Sequence, residues 1–155
     1  MNVKKFFALA AEKGLEAAEL VIIKSAQKTM EVYEGAVEKY NDSSTINIMA
    51  RGIYNGKMGF SLSEKDDKTT SQYLISKIKE SASVSETDDL SIIFKGSEKY
   101  KKRNFFNKEL AEISEETKLS VLFAIEKALK NAHTLISDVE SVAYYEVKSE
   151  RNFYN

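Results

Sequence analysis

Few side chains in this sequence are of a type and spacing that could do chemistry. His133 is the only histidine and there is no cysteine, so a thiol nucleophile and a thiolate metal site are excluded. A zinc site needs three or four His, Cys or carboxylate ligands, and no His-Glu-x-x-His helix occurs. No serine lies in a Gly-x-Ser-x-Gly elbow. His133 follows the last long helical pattern, where a histidine more often interacts with terminal carbonyls than with a substrate.

Two charged features could bind ions or nucleic acid. Asp66-Asp67 and Asp88-Asp89 could hold a hard cation, but neither pair has EF-hand spacing, and isolated acidic pairs are usually solvated turns. Residues 99–106 interleave four basic residues with aromatics, as a nucleic-acid site does. The alternative is a solvated connector that Phe105 and Phe106 attach to the core. The formal net charge of −1 favours that alternative, so no nucleic-acid partner is predicted.

Arg51 is a candidate binding residue because it lies in the middle of an apolar alternation. It could project from a sheet and bind a carboxylate or a protein partner. It could equally form an ion pair with a glutamate on a neighbouring strand. Both interpretations remain open from the residues alone.

A β-hairpin is predicted to carry Arg51. Asn55-Gly56 separates two alternating runs, Ile46/Ile48/Ala50 and Met58/Phe60/Leu62, and Asn-Gly favours a type I′ turn. Gly52 and Gly59 lie inside the strands, where glycine usually marks a bulge or a close backbone approach.

The remaining patterns predict an α+β fold, a curved and mainly antiparallel sheet with helices packed on one face. The length of 155 residues favours one domain over 1–155. Helices are expected at 2–13, ended by Gly14, at 70–83, capped by Thr69 or Thr70, and at 114–131, capped by Ser114. Strands are expected at 18–26, 29–33, 37–40, 45–63 as a hairpin, and 139–147. Residues 41–44 are expected to form a polar loop and 90–94 an extended segment on the core.

The order of several short motifs resembles the first domain of the TldD/PmbA proteins, also called modulators of DNA gyrase. These motifs are Ala17-Ala18-Glu19-Leu20-Val21, then 32–38 with Glu34-Gly35-Ala36-Val37-Glu38, then Ala50-Arg51-Gly52-Ile53 with Gly56-Lys57-Met58-Gly59-Phe60-Ser61. Gly52 departs from the family pattern, which often has a β-branched residue there. In that pattern the segment after Asn155 continues with a Ser-x-Gly turn, so this chain is expected to end at the edge of the first domain.

The resemblance implies a role in a zinc metallopeptidase system. TldD-type subunits resemble zinc metallopeptidases with a His-Glu-x-x-x-His helix later in the chain, and they pair with PmbA-type (TldE) subunits that lack it. No zinc ligand matches a position here, so zinc is expected in the parent assembly and no cofactor in this chain. The implied partners are TldD/PmbA-type subunits, in a homo- or hetero-oligomer such as a dimer, and unfolded peptides. The residues expected to contact a peptide or a subunit are Arg51, Gly52, Gly56, Gly59 and Phe60.

The leading hypothesis is therefore a non-catalytic N-terminal domain that provides subunit contact and scaffolds a peptide chamber. The alternative is a free-standing α+β module that binds a protein or peptide without enzymatic activity. No apolar run approaches the roughly 18 residues of a membrane span, and the short apolar stretch at the N-terminus is interrupted by Glu12 and Lys13. The protein is accordingly expected to be cytoplasmic, with no membrane partner. The residues do not distinguish the zinc-bearing from the zinc-less subunit type.

Overall fold

A computed structural model describes residues 1–86, 92–96 and 103–155. The strands form one open sheet in the order β3-β2-β1-β4, with antiparallel neighbours. The predicted α+β class with a mainly antiparallel sheet is confirmed. The elements in chain order are α1 (Val3–Glu12), β1 (Ala17–Tyr33), β2 (Ala36–Tyr54), β3 (Lys57–Ser63), α2 (Thr70–Ser83), α3 (Lys108–Glu112), α4 (Glu115–Lys130) and β4 (Val142–Tyr154).

The strands are longer than the sequence patterns predicted. The expected polar loop at 41–44 is wrong, because these residues continue β2 with exposed or half-exposed side chains. The separate strands expected at 18–26 and 29–33 are one strand, β1. The last strand begins at Val142 and continues through a polar stretch to Tyr154. Hydrogen bonding to a neighbouring strand stabilises such polar stretches in spite of their weak β-propensity.

Both hairpin turns have positive φ at their two central residues. Asn55 and Gly56 have φ values of 51° and 73°, and Glu34 and Gly35 have φ values of 50° and 73°. Positive φ at both central positions is the mark of a type I′ turn, which matches the right-handed twist of the flanking strands. The predicted turns at 55–56 and 34–35 are therefore confirmed.

Capping residues define the helix ends. Gly14 has a φ of 84° at the end of α1, and the N–H of Leu15 donates to the carbonyl of Ala10, as the Gly14 prediction required. Ser114 caps α4 by accepting a hydrogen bond from the Thr117 N–H, also as predicted. The cap of α2 differs.

Thr69 occupies the N-cap position of α2, which is one of the two predicted positions, but its side chain makes no capping bond. The acceptor is Asp67, whose Oδ1 receives the backbone N–H groups of Thr69 and Thr70 at 2.8 and 3.0 Å.

The described chain forms two compact units. Unit 1 comprises Met1–Lys24, Thr45–Lys101 and Ser149–Asn155, and unit 2 comprises Ser25–Ser44 and Lys102–Lys148. The single domain over 1–155 stays a prediction.

The core of unit 1 lies between one face of the sheet and the helices α1 and α2. Alternate strand residues are buried on that face, and their helical partners come from both helices. The buried members are Phe6, Ala10, Leu15, Leu20, Ile22, Ile48, Ala50, Leu74, Ile75 and Ile78.

The core of unit 2 is smaller and includes two buried charges. Met30, Val32, Leu122 and Val142 form its apolar centre. One helical turn to either side of Leu122, Lys118 and Glu126 are only 8% and 4% exposed. The Lys118 ammonium donates to Glu146 Oε2 at 2.6 Å, and the Glu126 carboxylate accepts the Gly35 N–H at 3.1 Å. Each buried charge therefore has a hydrogen-bonding partner, as burial requires.

Candidate interaction surface on the sheet of unit 1

The face of the unit 1 sheet that α1 and α2 do not cover is the candidate functional surface. Side chains alternate along each strand, so the residues between the buried core positions point to the opposite side. Phe60, Leu62 and Met49 are 60%, 52% and 40% exposed there. We call this surface the outer face and define it by Glu19 and Val21 of β1, Met49 and Arg51 of β2, and Phe60 and Leu62 of β3.

Strand register brings the members of the outer face together. Arg51 lies directly opposite Phe60, and Met49 lies directly opposite Leu62. A two-residue turn pairs an even-numbered residue with an odd-numbered one. Phe60 and Leu62 therefore lie on the other side of the sheet from the core residues Ile48 and Ala50. This parity rule could have revealed the outer face from the sequence, but the apolar alternation alone did not.

The outer face contains a shallow groove of about 570 Å³. The side chains around it are mainly apolar, and they surround one cation and one anion. Exposed large apolar side chains that form a contiguous patch typically mark an interaction site. The residues that line the groove are Glu19, Val21, Met49, Ala50, Arg51, Phe60, Ser61 and Leu62.

Arg51 and Glu19 form an ion pair between neighbouring strands. The Nη2 atom of Arg51 donates to Oε2 of Glu19 at 2.9 Å, and the two side chains are 39% and 21% exposed. One interpretation of Arg51 was an ion pair with a glutamate on a neighbouring strand, and that ion pair is present. The sequence did not identify Glu19 as the glutamate. Arg51 Nε is buried without a hydrogen-bond partner, so the guanidinium keeps unused donor capacity. Contact of Arg51 with a peptide or a subunit stays a prediction.

Two of the predicted glycines lie on the covered face, where α2 packs. A Cβ built on Gly59 would lie 1.9 Å from the Ile78 carbonyl oxygen, and one built on Gly52 would lie 3.0–3.1 Å from Leu15, Ala17 and Ile78. The close approach predicted for these glycines is confirmed. Gly56 instead forms the turn, where its N–H donates to Glu16 Oε1 at 2.9 Å. Their proposed contact with a peptide or a subunit is untested.

β3 is an edge strand of the described sheet, and α2 covers part of it. The Phe60 N–H donates to the Ser81 hydroxyl of α2 over a long 3.4 Å. Exposed strand edges can accept another chain through their main-chain groups, and a covering helix limits this.

Among the residues that the structure describes, the remaining predicted ones do not assemble into a second site. His133 lies in the turn after α4, where its Nδ1 accepts the Leu135 N–H at 3.1 Å, so the expected bond to terminal helix carbonyls is wrong. Asp66 contacts the N-terminal amine and Asp67 caps α2. Asp88-Asp89, most of the basic stretch at 99–106 and residues 90–91 lie outside the described residues. Phe105 is 90% exposed, so the expectation that it attaches the connector to the core is wrong.

Within 1–86, 92–96 and 103–155, no three His, Asp or Glu side chains group as a metal site requires. The described helices include none that is long and apolar enough to cross a membrane.

A family model described as PmbA/TldA metallopeptidase domain 1 matches residues 18–91. These residues contain the hairpin, both close-packed glycines and the whole outer face. This segment of the chain is similar to the first domain of the PmbA/TldD family. The predicted resemblance is confirmed. A comparison with curated proteins found no match.

Solved structures share the fold of this chain. TldE from Thermococcus kodakarensis superposes with a TM-score of 0.81 at 16% identity, over 97% of this chain and 34% of that chain. A candidate modulator of a DNA gyrase from Thermotoga maritima MSB8 gives 0.79 at 14% identity, over 97% and 33%. A candidate modulator of DNA gyrase from Bacteroides thetaiotaomicron VPI-5482 gives 0.68 at 14% identity, over 97% and 35%. The chain thus spans about a third of the length of these structures.

Proposed function

We propose that this chain serves as a non-catalytic first domain in a TldD/PmbA-type zinc metallopeptidase system that acts on unfolded peptides. Its role there is to contact another subunit and to scaffold the peptide chamber. The observation that carries the proposal is the exposure of Phe60, Leu62 and Met49 on the outer face. A sheet with one face packed on helices and an apolar opposite face is typical of a domain that binds another protein surface.

The chemistry of the described residues supports the non-catalytic part of the proposal. A zinc hydrolase needs three protein ligands and an open position for water. The part of the chain that the structure describes offers no grouping of three ligand side chains, and His133 is exposed in a turn. We therefore assign zinc to the partner subunit and derive no catalytic step from this chain.

The chamber role rests on strand geometry. An extended peptide binds to the edge of a sheet through main-chain hydrogen bonds, which tolerate any sequence. β3 is short and lies at the edge of the described sheet, and the hydrogen bond that its main chain makes to α2, at Phe60, is long. A protease for unfolded chains requires such tolerance.

The test combines this chain with a TldD-type subunit encoded in the same genome. Co-elution in size-exclusion chromatography is expected, together with zinc-dependent hydrolysis of an unfolded peptide by the complex and none by this chain alone. The variant Phe60→Ser should weaken co-elution, whereas Val84→Ser, which changes an exposed apolar residue outside the outer face, should not. Metal-dependent hydrolysis by the purified chain alone would falsify the non-catalytic assignment. A monomer that never co-elutes would favour the free-standing binding module.

A further inference from the structure

The turn of the β2–β3 hairpin contains the one Asn-Gly pair of the sequence. Asn55 and Gly56 are exposed, and nothing lies within 4 Å of the position that a Cβ on Gly56 would occupy. An asparagine followed by glycine is prone to deamidation, because the next residue has no side chain to hinder its backbone nitrogen from reaching the Asn carboxamide. The residue pair and its open surroundings therefore indicate a site of covalent modification at Asn55.

The reaction needs only Asn55, Gly56 and water. The Gly56 nitrogen attacks Cγ of Asn55, so that the N–Cγ bond forms, the Cγ–Nδ2 bond breaks, and ammonia leaves with the proton of the Gly56 N–H. Water then opens the five-membered succinimide ring. Opening at Cγ restores the ordinary main chain with an aspartate at position 55. Opening at the backbone carbonyl gives isoaspartate, whose main chain runs through Cγ.

The folded turn opposes this attack in two ways. Asn55 has a φ of 51° in a type I′ turn, and the turn must open before the Gly56 nitrogen can rotate to face Cγ at the short distance that reaction requires. The second obstacle is Glu16, whose Oε1 accepts the Gly56 N–H at 2.9 Å. The negative charge of this acceptor makes loss of the proton, which the attack requires, less favourable.

Glu16 is held beside the turn by its own backbone, because its N–H donates to the Ile53 carbonyl at 2.8 Å. We propose that Asn55 is a deamidation site and that the Glu16 carboxylate slows the reaction by holding the Gly56 N–H. The proposal is independent of the subunit-contact role, since it concerns only the chemistry of one chain.

The isoaspartate product would alter the hairpin itself. It adds one main-chain methylene group to a two-residue turn, directly beside the pair formed by Tyr54 and Lys57. The length of a hairpin turn fixes the register of its strands, and the position of Phe60 and Leu62 on the outer face depends on that register. Both products also place a second carboxylate near Glu16.

Peptide mass spectrometry tests the proposal on the purified 155-residue chain. The chain is incubated in mildly alkaline buffer, either folded or unfolded in urea, and the aspartate and isoaspartate forms at position 55 are quantified over time. The folded natural sequence is expected to react more slowly than the unfolded chain. Glu16→Ala should react about tenfold faster than the folded natural sequence, because a hydrogen bond to a charged acceptor is lost. Glu16→Gln, which keeps an acceptor oxygen without the charge, should react at an intermediate rate.

Two variants that keep Glu16 serve as controls. Glu12→Ala removes another exposed carboxylate, from α1, and should leave the rate unchanged. Gly52→Ala destabilises the same hairpin, so it measures the effect of lost stability alone, and it should react much more slowly than Glu16→Ala. Equal rates in the folded and unfolded natural chain overturn the proposal. A Glu16→Ala variant that reacts no faster than the natural sequence, or no faster than Gly52→Ala, also overturns it.

Discussion

Gly52 and Gly59 lie directly opposite each other in the β2–β3 pair, on the face that α2 covers, and Gly59 lies against the backbone of that helix. Together they leave the covered face of the sheet without side chains at this point. The helix can therefore approach so closely that the Ile78 carbonyl oxygen occupies the space where a Gly59 side chain would begin. The two glycines therefore determine how closely α2 packs on the sheet. The outer face, on the other side of the same strands, remains open.

Gly59→Ala is expected to destabilise the protein strongly. Its Cβ would meet backbone atoms of α2 at 1.9 and 2.8 Å, so the helix itself would have to move. Overpacking of this kind costs about 1–3 kcal/mol, and a backbone clash belongs at or above the upper end. Urea denaturation with a two-state fit measures the change in the free energy of unfolding.

Gly52→Ala is the matched comparison for this experiment, because it adds the same methyl group on the opposite strand. Two of its three close contacts, at 3.0–3.1 Å, are with ends of the Leu15 and Ile78 side chains, which can move. A loss of about 1 kcal/mol is expected. Equal losses at both positions would contradict a backbone clash as the cause at Gly59.

The Arg51–Glu19 pair is expected to add little to the stability of one chain. Both side chains are partly exposed, and exposed ion pairs contribute about 0.2–1 kcal/mol. A double-mutant cycle with Arg51→Ala and Glu19→Ala, read by urea denaturation at low protein concentration, should return a coupling energy in that range. The coupling should shrink when salt is added. A coupling energy of several kcal/mol would indicate that the pair serves mainly to hold β1 and β2 together, and not as part of a contact surface.

Asp67 should make stability depend on pH in the acid range. Hydrogen bonds from the Thr69 hydroxyl and N–H, and from Thr70, hold the pKa of this carboxyl below its ordinary value of 3.8. Since the folded state binds a proton more weakly than the unfolded state, the contribution of Asp67 is complete above about pH 4 and falls as the pH drops through the folded-state pKa. Thermal unfolding of the natural sequence and Asp67→Asn should differ above pH 4 and converge below the folded-state pKa.

Other carboxyl groups of the protein also have lowered pKa values, so the two proteins must be compared at each pH. Glu115, Asp138 and Glu146 behave in this way because they accept hydrogen bonds from Lys28, Tyr33 and Lys118 respectively. These groups are unchanged in Asp67→Asn and cancel in the difference. A difference that stays constant from pH 6 to strong acid would contradict the role of the Asp67 charge.

Lys118→Met should destabilise unit 2, and a second substitution should restore part of the loss. The ammonium of Lys118 is 8% exposed and holds Glu146, which is about a quarter exposed. Removing the cation leaves a partly buried carboxylate with the Tyr144 hydroxyl as its remaining donor, and a loss of about 1–3 kcal/mol is expected. Adding Glu146→Leu removes the stranded charge and should recover stability in the urea midpoint. Further loss in the double variant would show that the pair itself stabilises the fold.

Local patterns in the sequence predicted the turns well. Asn55-Gly56 specifies its backbone because only a few residue types adopt positive φ at low cost, and in Glu34-Gly35 the glycine is of such a type. Capping by Ser114 and Gly14 also depends on residues within about one helical turn, so the sequence pattern predicts it. The prediction failed at Asn41–Ser44 and, at the α2 cap, identified the position but not the acceptor. Pairing with a distant strand overrode weak β-propensity in the first case, and Asp67 provided the acceptor in place of threonine in the second.

By itself the sequence determined the hairpin at Asn55-Gly56 and the α+β class, because turn chemistry and alternation act between near neighbours. The order of its short motifs also indicated the likeness of residues 18–91 to the first domain of the PmbA/TldD family. Only the tertiary structure decided which apolar residues remain in solvent. Phe60 and Leu62 look like core residues in the chain, but strand register turns them away from α1 and α2. The tertiary structure also placed the Ile78 carbonyl oxygen against Gly59, where no side chain would fit, and placed Glu19 beside Arg51. These are contacts between residues far apart in the chain, which no local pattern encodes.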